Sequence, residues 1–331
     1  MSLWKLRLTM YFTLSLIIGL TTLGFLVLLN ILGLSIGLLE LIIIVALFNL
    51  VQWLIAPYII EALYGVREAD PIRYSWLHEI VKKLSRKSGI KKPKVMIADI
   101  PIPNAFAYGS PLTGNRIAIT KGLLTTLRKD EIEAVIGHEL GHIVHKDVVI
   151  MMLISLIPAI LYYLGYSLMY VPSYEDEDEE GGTNLAIVGI FLLLFSYVLN
   201  LFILGLSRLR EYYADRHSAS IVEYGARKLQ LALAKIVFAT NRIVRSGYVN
   251  IGKYKCFKAL FISDPSKATS EAQAISYYRT LYRRGDYALV ESLKRKKVTV
   301  LDVIDELFST HPNIVKRLKA LDQVAAELGQ V

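Results

Sequence analysis

Four stretches of this chain contain no lysine or arginine and are long enough to cross a bilayer: residues 8–29, 36–60, 148–170 and 185–206. A helical span needs about 20 residues. In hydrocarbon the backbone must satisfy its own hydrogen bonds, so each run is expected to be a helix. The first run follows Lys5 and Arg7, as the core of a signal peptide would. It is too long for one and no small-residue cleavage site follows, so it reads as an uncleaved anchor. Hydrophobic residues make up 54% of the 331 positions. Their concentration in a few runs points to a membrane protein rather than to a larger soluble core. Glu40 lies near one end of the second run and is expected to reach the interface.

The basic residues set the orientation. The loops joining spans one to two and three to four carry none of the 38 lysines and arginines, and the second holds the run Glu175-Asp176-Glu177-Asp178-Glu179-Glu180. By the positive-inside rule both loops face out, and both termini and residues 61–147 face the cytosol. The acidic run reads as a solvated turn. A net charge of +9, placed beside apolar runs, favours an anionic membrane surface over nucleic acid as partner. The single cysteine, Cys256, excludes an intramolecular disulfide and a thiolate zinc cluster.

The chain thus divides into 1–60, two spans; 61–147, a cytosolic block; 148–207, two further spans; and 208–331, a cytosolic block of helical pattern. The first cytosolic block opens with a helix patterned on Trp76, Ile80 and Leu84 and ending at Ser88-Gly89. Strands are expected at 94–98, 105–109 and 116–120, with hairpin chemistry between the last two. The strand at 116–120, if it is an edge, would offer a place for extended substrate to pair.

The chemistry lies in His138-Glu139-Leu140-Gly141-His142. A helix is expected to start near Asp130, with Glu133 closing a capping box. Histidines four apart project from one helical face and can reach one ion as neutral imidazoles. Glu139 is rotated about 100° from His138, placed to hold a water rather than to bind metal. A chance His-Glu-x-x-His in a chain of this composition arises on the order of one time in a hundred. A catalytic zinc takes three protein ligands and keeps a position for water. His145 lies about 10 Å along the axis from His138 and cannot converge with both other histidines. Glu211, just past the fourth span, is the better third ligand. Asp215, four residues on, is placed to accept the outer N–H of a ligating histidine. The competing reading makes Glu211 and Asp215 an interfacial charge cluster pairing with Arg208, Arg210 and Arg216.

These residues resemble the HtpX-type heat-shock membrane zinc metalloproteases, a gluzincin family related to the CAAX prenyl endopeptidases. The resemblance covers most of the chain: Asn104-Ala105-Phe106-Ala107, Gly122-Leu123-Leu124, the HELGH run, Glu211 with Asp215, and Ser309-Thr310-His311-Pro312 followed by Arg317. It implies an α-rich membrane protein of α+β type, with four transmembrane helices and a cytosolic gluzincin domain holding a small β-sheet. It implies one Zn2+ per chain on His138, His142 and Glu211, with Glu139 as general base. His311 and Asn104 are implied on the substrate or its oxyanion. The expected activity is a zinc endopeptidase of the cell membrane acting on membrane or misfolded proteins in quality control and stress response. A prenyl-protein endopeptidase and a non-catalytic chaperone or scaffold with a structural zinc are the alternatives. Residues 264–307 match no landmark of the family.

Overall fold

A computed structural model describes residues 38–169, 180–245 and 286–330. The first expected span and most of the acidic loop lie outside these residues. Helix α1 (Leu38–Tyr64) overlaps the second expected span. Gly65, at φ 57°, turns the chain into β1 (Val66–Glu68), a strand too short to leave a period in the sequence. Helix α2 (Ser75–Lys87) follows and ends at Ser88, with Gly89 at φ 69°. Its buried stripe is Leu77, Val81 and Leu84. Trp76 and Ile80, expected on that stripe, are only partly buried against the core.

Strands β2 (Lys94–Ala98), β3 (Ala105–Ser110) and β4 (Gly114–Thr120) join β1 in a mixed sheet of order β1-β2-β4-β3. β2 and β4 are parallel, and the other pairs are antiparallel. The condition set for 116–120, that it form an edge, is therefore not met. β4 sits between β2 and β3, and β3 is the edge. The reason is visible in Ile117-Ala118-Ile119, an unbroken apolar run as expected of a strand covered on both faces. Ile117 and Ile119 enter one core with Leu84, Ile132, Leu140 and Leu233, while Ala118 enters another with Ile60, Tyr64 and Phe106.

Helix α3 (Lys121–Thr126) is capped by Thr120, whose Oγ1 accepts from Leu123 N at 3.1 Å. Helix α4 (Lys129–Val144) carries the HELGH run. It starts earlier than expected, and Glu131 rather than Glu133 accepts the Arg128 N–H, at 2.9 Å. Glu131 is also fixed by buried Lys235 at 2.7 Å, whereas Glu133 reaches Lys83. α4 does not run on into the third span. His145 caps it, Lys146 turns back at φ 54°, and α5 (Asp147–Met169) starts anew. α6 (Glu180–Ile221) is unbroken over 42 residues, about 63 Å, and links the fourth expected span directly to Glu211 and Asp215. Among the described residues one helix, Ala186–Ile221, is long and apolar enough to cross a membrane. α5 and α6 cross closely at Gly165 and Gly189, where an added Cβ on either would come within 2.7 Å of the other's carbonyl oxygen.

The remaining described elements are α7 (Gly225–Arg245), α8 (Asp286–Lys294), α9 (Val300–Leu307) and α10 (Ile314–Glu327). The blocks at 61–147 and 208–331 share one core: Leu77, Val95 and Leu140 pack in the same cluster as Leu229, Leu289 and Leu318.

Candidate metal centre

Two helices make the site, and small residues let them approach. On α4, Gly137 and Gly141 face α6. A Cβ on Gly141 would fall 2.9 Å from Ala214 Cα, and one on Gly137 would fall 2.9 Å from Ser218 Oγ. Ser218 Oγ donates to Ala134 O at 2.6 Å and ties the pair together. Glycine in a helix interior costs about 1 kcal/mol relative to alanine. The approach it permits brings Glu211 against both histidines.

His138 Nε2 and His142 Nε2 are 3.1 Å apart. Glu211 Oε2 lies 3.6 Å from His138 Nε2, and Oε1 lies 3.5 Å from His142 Nε2. Three donors at about 2.0–2.1 Å from one tetrahedral ion would be about 3.3–3.5 Å apart. The Nε2–Nε2 separation and the two nitrogen–oxygen separations, one to each oxygen of Glu211, lie near that spacing. His138, His142 and Glu211 are the one group among the described residues whose ligand atoms all lie within 4.8 Å of one another. Local charge fits as well. Four carboxyl groups, Glu139, Asp147, Glu211 and Asp215, are buried around the histidines with two guanidinium groups, Arg210 and Arg317. Buried charge needs compensation, and a divalent cation would supply it.

Each histidine is held from behind. His138 Nδ1 is 2.9 Å from Asp215 Oδ1, and His142 Nδ1 is 2.6 Å from Asp147 Oδ2. Each carboxylate is placed to accept an Nδ1–H, which turns both Nε2 atoms toward a common point. Arg317 clamps Asp215 with two bonds of 2.7 Å, from Nε and Nη2, and its Nη1 is 3.0 Å from Glu211 Oε2. Arg210 bonds Asp147. The arginines expected to neutralise Glu211 and Asp215 in a mere charge cluster are therefore spent elsewhere. Arg208 donates to the carbonyls of Glu306, Leu307 and Ser309, Arg210 holds Asp147, and Arg216 pairs with Glu327.

Glu139 is buried and accepts from the N–H of Ala107 on the edge strand β3. Burial pushes its carboxyl up to about 7. Burial works against the His142 cation, but the bond to Asp147 and the charges of Asp147, Glu211 and Glu139 lift His142 to about 9. His138 is lowered by burial and by Arg317. Glu211 is held well below the usual carboxylate range: burial opposes this, and His311 and Arg317 outweigh it.

His311 is buried beside the cluster, with Nδ1 3.3 Å from Glu211 Oε1 and neither ring nitrogen in hydrogen-bond geometry. Asn104 is buried at the entrance to β3, where its N–H donates to Thr120 Oγ1 at 2.9 Å and its C=O accepts from Thr120 N at 3.0 Å. His145 stands apart from the triangle, packed edge-on against Tyr213 at 4.0 Å. A cleft of about 750 Å³ opens beside His142, between the β3–β4 hairpin and the turn from α4 to α5. Besides His142, four lysines line it, Lys91, Lys92, Lys94 and Lys146, and no carboxylate does. At its edge Trp53 Nε1 donates to Gly109 O at 2.9 Å, so α1 covers one end of β3.

Asp147 and Arg317 were not singled out for these contacts in the sequence. Arg317 stands only among the landmarks of the resemblance, and Asp147 only at the end of the block 61–147. The signal for Asp147 is weak, because its placement depends on the reversal at Lys146.

The family model described as Peptidase family M48 matches residues 71–325. The chain belongs to peptidase family M48. It is 39% identical over 302 residues to the protease HtpX homolog of Thermoplasma acidophilum, covering 88% of each chain. It is 40% identical over 288 residues to that of Aeropyrum pernix, covering 85% of each. It is 35% identical over 335 residues to protease HtpX homolog 2 of Saccharolobus solfataricus, covering 97% of this chain and 98% of that one. The crystal structure of S. mikatae Ste24p aligns with 96% of this chain and 67% of its own, at 18% identity and a TM-score of 0.49. As an M48 peptidase the chain is a membrane-associated metalloprotease, and its HELGH run and Glu211 lie within the matched residues.

Proposed function

We propose that this M48 peptidase is a zinc endopeptidase in which His138, His142 and Glu211 hold the metal and Glu139 is the general base. The triangle of two imidazole nitrogens and one carboxylate, 3.1 to 3.6 Å on its edges, is the observation that carries this reading. When bound, the zinc supplies Lewis acidity that polarises a peptide carbonyl and acidifies water. Asp215 and Asp147 fix the tautomers of His138 and His142, so that both Nε2 atoms offer lone pairs. Glu139, with its carboxyl near 7, takes a proton from the attacking water. As the C–O bond forms and the C–N bond breaks, Glu139 delivers that proton to the departing amine. His311, with Nδ1 3.3 Å from Glu211 Oε1 and Nε2 in no hydrogen bond among the described residues, is suited to donate from Nε2 to the carbonyl oxygen as it gains charge. Asn104, at the head of β3, is assigned to the substrate backbone. Extended substrate is read as lying along β3, reached through the lysine-lined cleft. Backbone pairing of this kind favours broad sequence selectivity.

The membrane arrangement belongs to the same proposal. Four spans at 8–29, 36–60, 148–170 and 185–206, with both loops outside, put both termini and the site in the cytosol. The helices α1, α5 and α6 and the absence of basic residues from 148–207 support it. Glu211 is five residues beyond Leu206, about 7–8 Å along α6, so the metal lies close beneath the membrane surface. That position suits membrane or misfolded proteins as substrates, in quality control.

The test is Glu139→Gln in the detergent-purified chain, assayed for bound zinc and for casein cleavage. The proposal expects wild-type zinc content with cleavage reduced by at least about a hundredfold. Retained cleavage would remove Glu139 from the chemistry. Loss of zinc together with the fold would point to a structural metal instead.

A further inference from the structure

One helix near the centre is built inside out. Thr299 caps α9, with Asp302 N donating to Thr299 Oγ1 at 3.2 Å and Thr299 N to Asp302 Oδ2 at 2.8 Å. Val300, Leu301, Val303, Ile304, Leu307 and Phe308 recur at i, i+1, i+3, i+4, i+7 and i+8, which is one helical face. In a water-soluble protein that face packs inward. Here all six residues are exposed, from 42% at Val303 to 77% at Val300. The residue that turns inward is Glu306, which bonds Lys316 and accepts from Asn313 N at 3.2 Å. A contiguous exposed apolar face on a well-capped helix marks an interaction surface.

Its surroundings identify the partner. Arg208, two residues beyond Leu206 on α6, grips the end of α9 and the turn after it through the carbonyls of Glu306, Leu307 and Ser309, at 2.7, 3.2 and 2.8 Å. The Phe308 ring lies 6.4 Å from that of Tyr197, an exposed residue within the apolar part of α6. The apolar face of α9 is therefore continuous with the outer surface of the span. Immediately before it comes Lys294-Arg295-Lys296-Lys297, of which Arg295 and Lys297 are exposed. An apolar helical face beside a basic run is the signature of an interfacial helix on anionic lipid. A second copy of the chain fits less well, since a stable protein interface buries about 1,200–2,000 Å² and an eight-residue helix offers far less.

We propose that α9 is a membrane-interface helix. Its apolar face lies at the boundary of headgroups and acyl chains in the leaflet where α6 ends, and Arg295 and Lys297 meet anionic headgroups. The chain runs from α9 straight into Ser309 and His311, so lipid contact also anchors the segment that brings His311 to Glu211. This inference rests on the reading that α6 spans the bilayer, and the test separates the two.

The full-length chain, with Cys256→Ser, is reconstituted in vesicles of equal parts phosphatidylcholine and phosphatidylglycerol. Single cysteines at Leu301, Ile304, Asp305 and Leu194 carry an environment-sensitive fluorophore. All four sites are exposed, so labelling need not disturb packing. Probes at 301 and 304 should be quenched by lipid-borne nitroxide about twofold or more beyond their quenching by aqueous iodide, with the reverse at 305. Equal iodide quenching at all three would place α9 in water and overturn the proposal. Shielding of 301 and 304 from both quenchers, or dimers cross-linked through 301, would overturn it in favour of a protein partner. If 194 sees lipid while 301 and 304 do not, α9 alone is misassigned. If 194 also sees only water, the spanning of α6 is at fault.

Discussion

Gly141→Ala is the sharpest probe of how two helices build one metal site. The new Cβ would lie 2.9 Å from Ala214 Cα, 3.2 Å from His217 Cβ and 3.3 Å from Ala214 Cβ. Carbon atoms sit comfortably at about 3.5–4.0 Å, so α4 and α6 must part by roughly 0.6–1 Å. Two ligands ride on α4 and the third on α6, while metal–ligand distances tolerate only about 0.2 Å. The fold should survive, because alanine favours the helix by about 1 kcal/mol over glycine. Zinc affinity is expected to fall about tenfold to a hundredfold, the range seen when the support of a metal ligand is lost. The assay is zinc retention in a metal buffer, read alongside the melting temperature and casein cleavage at limiting and saturating zinc. Gly205→Ala is the control, since its Cβ would meet only the tip of Arg208 at 3.7 Å. A Gly141→Ala protein that binds zinc and cleaves as the wild type does would refute the close-approach argument.

Other consequences are equally direct. Asp215→Asn should lower zinc affinity about tenfold or more while leaving Glu139 untouched, measured by competition with a chromophoric chelator. Arg317→Gln leaves Asp215 and Glu211 buried without their cation, and should cost about 3–5 kcal/mol of stability, seen as a large drop in melting temperature. Asp322 is held below its ordinary value: burial opposes the shift, and Lys294, Gln230 and Arg227 outweigh it. A lowered carboxyl adds stability above its unfolded pKa of about 3.9, and that stability fades as pH falls through the lower folded value. The melting temperature of wild type should therefore exceed that of Asp322→Asn at neutral pH, and the gap should close below about pH 4.

What the sequence revealed, and what it hid, follows from range. The HELGH spacing is local to one helix, so its two imidazoles could be set on one face without knowing the fold. Glu211 required the further step of returning the chain to the same side of the membrane, which the missing lysines and arginines provide. Asp147 was hidden because its approach to His142 depends on the left-handed turn at Lys146, and a helix extended through that point would aim it elsewhere. Arg317 was hidden because a lone arginine after His311-Pro312 says nothing about the acids 102 and 106 positions earlier that bury it. The order of β3 and β4 was ambiguous because a hairpin can present either strand at the edge; the apolar run of Ile117-Ala118-Ile119 was the available clue. Residues 264–307 match no landmark, and the apolar face of α9 takes its meaning only from which side meets protein, which the grip of Arg208 decides.

The central claim is that two histidines and one carboxylate hold the metal. X-ray absorption on the zinc-loaded, full-length protein in detergent tests it directly. The account predicts the scattering of two imidazoles with the remaining near neighbours oxygen, and a spectrum that changes on Glu211→Gln. A third imidazole, as His311 so close to Glu211 would supply, or a spectrum indifferent to Glu211, would contradict it.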